Sequence, residues 1–215
     1  MKLTGLALGL ASEGSFGAHP SLPFAAADYE LLVFIDDRRR FHVSEQITTD
    51  QTNFAHIRVA SIGELGNFLS QVKFPSHALI ARPNDGRDSG AIYKGLQSIE
   101  TLKAAVNFCR NISEDKLVLV ETDMRAHLNP TRMRVLRRLA VKLARRLLSL
   151  CPKCSTPGFG PVDVERGLKC ALCGTPTLLA RAEIHACAKY DYREKQPLRN
   201  IAPKADPTYC QYCNP

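Results

Sequence analysis

The chain contains 215 residues, of which 45% are apolar and 23% are charged, and it carries a formal net charge of +8. This composition excludes an intrinsically disordered chain, and no stretch is long and apolar enough to predict a membrane span. The charge is uneven: residues 1–124 hold 12 basic and 15 acidic residues (−3), and residues 125–215 hold the other 17 basic and 6 acidic residues (+11). The absence of such a stretch leads us to expect no membrane contact. The positive charge of residues 125–215 makes an anionic partner plausible for that part of the chain.

The first residues, "MKLTGLALGLAS", imitate a secretory signal because one lysine precedes a short apolar run. Two glycines and a strand-like alternation favour a folded strand at Leu6–Leu10 instead. Three C-x-x-C pairs fit a reducing compartment, so the expected location is cytoplasmic.

A polar cluster, "ASEGSFGAHP", follows this strand, and its glycines predict a tight turn at one edge of a sheet. Glu13 is the preferred metal-binding carboxylate or general base in this cluster. The alternative is a solvated connection without function. The other polar side chains that we expect near this edge are Ser12, Ser15 and His19, and we predict that they bind substrate together with Asn129.

The following segments alternate between strand and helix patterns. Tyr29–Asp36 and Phe41–Ile47 predict a hairpin, and Ser61 with Glu64 forms a capping-box signature before a helix. Two buried strands are predicted at His77–Arg82 and Lys116–Thr122, separated by a polar loop at 83–89 and a helix at 98–108. This alternation indicates an α/β domain with a mixed sheet and packed helices, over residues 1–150.

The segment "ETDMRAHLNPTRM" joins the last of these strands to a basic helix that begins at Pro130, with Asn129 as N-cap, and ends near Leu150. Free N–H groups at the helix start favour an anion, which Arg125 and Arg132 are suited to hold. Asp123 and His127 are the candidate acid and base. The alternative is a structural loop, with an Asp123–Arg125 ion pair and capping by His127 and Asn129.

The basic helix is amphipathic. Leucines recur on one face at helical spacing, at 136, 139, 143 and 147, and most of the arginines and lysines fall outside that face. This basic stretch raises nucleic acid as a possible partner, and the alternative is a solvated basic face.

The cysteine-rich tail, residues 151–215, predicts a small zinc-ribbon domain. Cys151-x-x-Cys154 and Cys170-x-x-Cys173 have the spacing of a closed structural site with four thiolates. Disulfides or a redox pair are the alternatives. A second zinc site is suggested by His185, Cys187, Cys210 and Cys213.

This second site is incomplete in the sequence. Tyr190 stands where another C-x-x-C would place its second sulfur, so the alternative is a metal-free remnant held by packing. Cys109 lies at the end of the helix predicted at 98–108, and we expect it to be a buried apolar residue.

The motifs "SEGSFG-HP", "FPSHALI-RPN", "ETDMRAH-NPTRM" and "C-x-x-CNP" resemble a bacterial family, a domain of unknown function, over essentially the whole chain. The resemblance implies no known activity. Family members usually begin several tens of residues earlier, which implies a shortened form here, and they tend to have a complete pair where this chain has Cys187 and Tyr190.

A shorter stretch, "LGLASEGSF", resembles the strand and acidic turn of pyrophosphatases that act on inosine and xanthosine triphosphates. The segments "FPSHALIARPN" and "MRAHLNPTR" also occur in a similar order to that family's base-recognition loop and its Ser-His-Arg segment. This resemblance implies Mg²⁺ or Mn²⁺ near Glu13 and Asp123, with phosphate or base recognition by His77, Arg125, His127 and Arg132. We expect a metal-assisted hydrolase of a nucleotide or another phosphorylated small molecule. The alternative is a noncatalytic zinc-ribbon module that binds nucleic acid.

Overall fold

The computed structural model describes residues 5–19, 22–84, 91–198 and 202–215. Its first sheet contains β1 (Leu8–His19), β2 (Leu22–Asp36) and β3 (Phe41–Thr49) in the order β1-β2-β3. Short connections join these strands in sequence, so the sheet is antiparallel. The predicted hairpin of Tyr29–Asp36 with Phe41–Ile47 is confirmed. Asp36 shapes its turn by accepting a 2.9 Å hydrogen bond from the Arg39 amide.

Strand β1 corrects one prediction, because "ASEGSFGAH" continues the strand and forms no turn. Ser12, Glu13 and Ser15 are exposed, whereas Gly14 and Phe16 are half-buried. A Cβ at Gly14 would overlap the Arg132 guanidinium and lie within 3 Å of both Glu30 carboxylate oxygens. This glycine therefore permits close approach of side chains, and does not make a turn.

The second sheet contains β4 (His56–Val59), β5 (Leu79–Pro83), β6 (Tyr93–Leu96) and β7 (Val118–Thr122) in the order β4-β7-β5-β6. All of its pairings are antiparallel. The expected mixed sheet is thus replaced by antiparallel ones. The reason is β6, which the sequence pattern did not indicate: it reverses the chain before the next helix, so β7 enters antiparallel to β5. Much of the predicted loop at 83–89 lies outside the described residues.

Helices cover this second sheet and form the largest described core with it. They are α1 (Gly66–Gln71), preceded by a 3₁₀ turn at Ile62–Leu65, and α2 (Ile99–Ile112). The side chains of Ser61 and Glu64 form a 3.0 Å hydrogen bond at the first helix start, and Ser98 caps α2 by accepting from the Thr101 amide. Cys109 is buried as predicted, and burial raises the pKa of its thiol to about 11.

Helix α3 spans Pro130–Leu148, close to the predicted range, and Leu139 and Leu143 are buried. The third sheet follows it and contains β8 (Gly160–Arg166), β9 (Ala180–Ala186) and β10 (Arg193–Pro197) in the order β10-β9-β8. Both of its pairings are antiparallel. Among the described residues, no helix has the length and hydropathy needed to cross a membrane.

Chain contacts divide the protein into two compact units. One contains residues 1–11, 33–44 and 141–215, and the other contains residues 12–32 and 45–140. The third sheet and the cysteine-rich segments belong entirely to the first unit, and the second sheet with its two helices belongs entirely to the second. A domain boundary near residue 150 stays a prediction.

Candidate metal centres and a buried carboxylate pair

Two cysteine segments have the same sequence pattern and the same backbone fold. "CPKCSTP" begins at Cys151 and "CALCGTP" begins at Cys170. In both, the first cysteine amide donates a 2.9 Å hydrogen bond to the threonine carbonyl five residues later, at Thr156 or Thr175. The residue after the second cysteine has a positive φ, 56° at Ser155 and 75° at Gly174. Each segment is thus a tight knuckle that turns two sulfurs toward one point.

Two later segments repeat parts of this fold. The Cys187 amide donates to the Tyr192 carbonyl five residues later at 2.9 Å, and the Lys189 and Tyr190 amides point at the Cys187 sulfur at 3.4 Å. The Asn214 amide donates to the Cys210 carbonyl at 2.8 Å. The chain therefore contains four knuckle-like turns, one of which has a single cysteine.

The four turns meet in alternate pairs. Cys170, Cys173, Cys210 and Cys213 form one cluster, and Cys151, Cys154 and Cys187 form another, with all sulfurs of a cluster within 4.8 Å of one another. The Sγ–Sγ distances are 3.6 Å for Cys154–Cys187, 3.9 Å for Cys170–Cys213 and 3.6 Å for Cys173–Cys210.

These distances fit a metal ion. Zn–S bonds near 2.3 Å place the sulfurs of a tetrahedral site about 3.8 Å apart. A disulfide would bring two sulfurs to about 2.05 Å. The clusters are thus compatible with zinc thiolate sites, as expected from the sequence, and the described cysteines form no disulfide.

The grouping of ligands differs from the predicted one, because Cys151 and Cys154 do not share a cluster with Cys170 and Cys173. The β8–β9 hairpin explains the difference. Gly160 pairs with Ala186 at its near end, which places Cys187 beside the first knuckle. The hairpin strands are seven residues long, so the second knuckle lies at the far end of the hairpin, roughly 20 Å from the first. There the Ala205 amide donates a 2.8 Å hydrogen bond to the Lys169 carbonyl, and the chain continues from Ala205 to Cys210.

His185, expected as a ligand of a second zinc together with Cys187, Cys210 and Cys213, has other contacts. Its Nε2 lies 2.9 Å from a Glu183 carboxylate oxygen, and its ring packs against Phe159 with centroids 5.8 Å apart. Cys187 lies in the other cluster from Cys210 and Cys213. The described residues therefore give a second cluster of three cysteines without a histidine.

Hydrogen bonds with threonine favour the thiolate form in the first two knuckles. Contact with Thr156 lowers the pKa of Cys154 to about 7, and contact with Thr175 lowers the pKa of Cys173 to about 6. Hydrogen bonding with Cys173 raises the pKa of Cys213 to about 12, as expected when neighbouring sulfurs share protons. A metal cation would displace such a proton, because the thiolate is the form that binds metal.

The loop after β7 forms the ion pair that was the structural alternative. Asp123 is fully buried and accepts hydrogen bonds from the Gly95 amide at 3.0 Å, from the Arg125 amide at 3.1 Å and from the Arg125 side chain at 2.6 Å. Burial raises the pKa of Asp123, but the hydrogen bonds from Arg125 outweigh it, so the net pKa lies below its ordinary value. Asp123 is thus an ionised carboxylate that fixes the loop.

The start of α3 is capped by the protein's own side chains. The Thr131 amide donates to Nε2 of His77 at 3.1 Å, and the Arg132 amide donates to Oδ1 of Asn129 at 3.1 Å, which confirms Asn129 as N-cap. Pro130 has no amide hydrogen, so these contacts use the free N–H groups that were expected to hold an anion. Burial lowers the pKa of His77, and the positive charge of Lys73 lowers it further. This is consistent with a neutral imidazole that accepts a hydrogen bond at Nε2.

The remaining predicted residues lie on exposed or partly exposed surface. Glu13, Ser12 and Ser15 are exposed on β1, His127 is exposed in a short 3₁₀ turn, and His19 is half-buried. Strand β1 contacts Arg132 through Gly14 and through Phe16, whose ring centroid lies 5.1 Å from the guanidinium carbon. The catalytic and substrate-binding roles assigned to these residues stay predictions.

Comparison with protein families gives one match. The model of a domain of unknown function, DUF6671, matches residues 1–215. The chain belongs to this family. Comparison with curated proteins gives no match, and comparison with solved structures gives none either.

The DUF6671 chain also buries two carboxylates that the sequence analysis missed. Asp28 and Glu30 are each 1% exposed on the same face of β2. Glu30 accepts a 2.6 Å hydrogen bond from Nε of Arg132, whereas neither oxygen of Asp28 has a hydrogen-bond partner among the described residues. The available signal was two acids at positions i and i+2 within the apolar run "AAADYELLVFID".

Burial and the nearby Glu30 carboxylate raise the pKa of Asp28 to about 7. A carboxyl group with that pKa is half-protonated at neutral pH and can act as a proton donor or acceptor. Arg132 is paired with Glu30, and its NH1 also donates to the Met124 carbonyl. The three side chains form a buried polar group that joins β2 to the start of α3.

A cleft of about 400 Å³ lies elsewhere in the same unit, and none of the residues predicted as a site lines it. Its polar lining includes Asp50, Asn53 and Lys73. Asn53 is connected to the cap of α3, because it accepts a 2.8 Å hydrogen bond from the Asn129 side chain. Arg134, Arg137 and Arg138 of α3 are exposed, and their binding to nucleic acid stays a prediction.

Proposed function

We propose that this DUF6671 chain is a zinc protein that binds two ions through seven of its eight cysteines. The observation that supports this proposal is the grouping of the sulfurs, which lie within 4.8 Å of one another in each cluster, with three of the distances at 3.6–3.9 Å. The four-cysteine cluster has every ligand that tetrahedral zinc requires, so its role is structural. Zinc there would tie the second knuckle to the last turn of the described chain.

The test is metal content after purification without chelators, measured together with the protein concentration. We expect two zinc ions per chain. Cys173→Ser should lower the content by about one ion, because it removes one of four ligands. Cys109→Ser is the matched control, since Cys109 lies in α2 and belongs to neither cluster. Zinc content near zero in the wild-type chain would refute the proposal.

We also propose a second function, hydrolysis of a phosphorylated small molecule such as a nucleotide. The observation that favours it is Asp28, a buried carboxyl group with a pKa of about 7 and no hydrogen-bond partner among the described residues. Such a group is suited to move a proton to or from water or a leaving group. Arg132, beside Glu30, would supply positive charge near an anionic substrate.

The assay follows phosphate and pyrophosphate release from nucleoside triphosphates with Mg²⁺ or Mn²⁺, using zinc-replete protein. Asp28→Asn is expected to abolish release and to preserve zinc content. Glu13→Gln separates the two candidate groups, because Glu13 is exposed on β1, where the sequence predicted the general base. Release that survives Asp28→Asn and is lost in Glu13→Gln would transfer the role to Glu13. Absence of release in the wild-type chain would count against this function.

A further inference from the structure

The third knuckle has the backbone of a metal-binding turn and lacks one ligand. Its amide-to-carbonyl hydrogen bond, Cys187 to Tyr192, spans the same five residues as those in the first two knuckles. Tyr190 lies three residues after Cys187, where the first two knuckles have their second cysteine. The fold of the turn is therefore retained although the sulfur is not present.

The cluster of Cys151, Cys154 and Cys187 leaves one tetrahedral position without a protein ligand. Cys154 is exposed and Cys187 is half-buried, so solvent reaches this cluster. The Tyr190 side chain is 56% exposed, and its ring lies 5.3 Å from Nζ of Lys189. His185 is engaged by Glu183 and Phe159. Three thiolates with an accessible fourth position are the pattern of zinc sites that exchange a ligand.

The residues inside the knuckles differ in charge between the two clusters. The three-cysteine cluster has Lys153 in one turn and Lys189 in the other. The corresponding turns of the four-cysteine cluster contain only neutral residues at these places, namely Ala171, Leu172, Gln211 and Tyr212. The lysine in each of its turns favours an anion as the fourth ligand of this cluster, because positive charge in the turns offsets the −1 charge of zinc with three thiolates.

We propose that the three-cysteine cluster is an open zinc site whose fourth ligand is an exchangeable water that a small thiol replaces as thiolate. This inference rests on the proposed zinc function. In the exchange, the thiol releases its proton to solvent, its sulfur forms a bond to zinc, and the water leaves. The four-cysteine cluster cannot take part, because all four of its positions are filled by the protein.

The experiment uses the full chain with cobalt(II) in place of zinc, because cobalt reports its ligands by absorption. Protein loaded with two cobalt ions is titrated with 2-mercaptoethanol in a buffer with no other thiol. We expect the sulfur-to-cobalt absorption to increase by about one-seventh, since the seven cobalt–sulfur bonds of the two clusters become eight. Tyr190→Cys is expected to show eight bonds at the start and no response to the thiol.

Tyr190→Phe is the control for a phenolate ligand, and it is expected to match the wild-type spectrum and response. A changed spectrum in Tyr190→Phe before thiol is added, or no response in the wild type, would overturn the open site. One cobalt in the wild type and two in Tyr190→Cys would also overturn it, while the four-cysteine site would stand. No tetrahedral cobalt in any variant would instead refute the proposed zinc function.

Discussion

Replacing Asp28 by asparagine should make the protein more stable at alkaline pH and leave it almost unchanged at acidic pH. Asp28 is buried beside Glu30, and burial followed by that like charge raises its pKa from 3.8 to about 7. The folded protein thus holds this proton more tightly than the unfolded chain does. As pH rises from about 4 to about 7, the unfolded carboxyl group ionises freely and the folded state loses relative stability.

The magnitude follows from the difference in pKa. One pKa unit corresponds to about 1.4 kcal/mol, so a difference of about three units gives an upper limit of about 4 kcal/mol. Solvent relaxation around the group reduces this value, and we expect about 2–4 kcal/mol at pH 8. Asparagine has nearly the same shape as the protonated acid, so the two proteins should differ little at pH 4.

The assay is denaturant unfolding of zinc-replete wild type and Asp28→Asn at pH 4, 6 and 8. Asp191→Asn is the control, because the Asp191 side chain is 98% exposed, and its effect should not vary with pH. The gap between wild type and Asp28→Asn should widen in favour of the variant as pH rises. A constant gap, or a variant that is less stable at pH 8, would show that Asp28 does not carry a raised pKa.

Three further predictions concern other contacts. Gly14→Ala should lower the free energy of unfolding by about 1–3 kcal/mol, because the added methyl group displaces Arg132 from Glu30. Gly17→Ala is the control: its methyl group meets no atom within 4 Å, so the free energy of unfolding from chemical denaturation should change by no more than about 0.5 kcal/mol. Asp123→Asn should destabilise the protein by about 1–3 kcal/mol at pH 7. In acid unfolding, this difference from the wild type should disappear as pH falls through the lowered pKa of Asp123, and a difference that persists at low pH would contradict the prediction. Chelation of zinc should lower the Tm, and an unchanged Tm in calorimetry would argue against structural zinc.

Local patterns in the sequence predicted local structure well. Pro130 and Asn129 fixed the start of α3, and the apolar runs at Tyr29–Asp36 and Lys116–Thr122 identified two strands. Strand direction was not predictable, because the short strand β6 that reverses the chain has only four residues. Periodicity identifies a strand but carries no information about its partner.

The candidate sites show the same limit. The C-x-x-C spacing identified the metal ligands, but their assignment to clusters depends on the β8–β9 hairpin, which brings Cys187 to the first knuckle. For "ETDMRAHLNPTRM", the sequence could not decide between binding of a ligand and capping of α3 by the protein's own side chains, because both would use the free N–H groups at the helix start. The decisive partner, His77, lies more than fifty residues earlier and binds the Thr131 amide.

The alternate pairing of the four cysteine turns couples the two candidate metal centres. An ion in one centre would close the chain between Cys154 and Cys187, an ion in the other would close it between Cys173 and Cys210, and the two closed loops overlap. Release of either ion would return conformational freedom to a segment that also bears ligands of the other, so each ion would raise the affinity for its neighbour. Loss of one ion should then weaken the binding of the other without by itself emptying that site, and the order in which the two centres release metal should depend on how strongly the overlapping loops couple them.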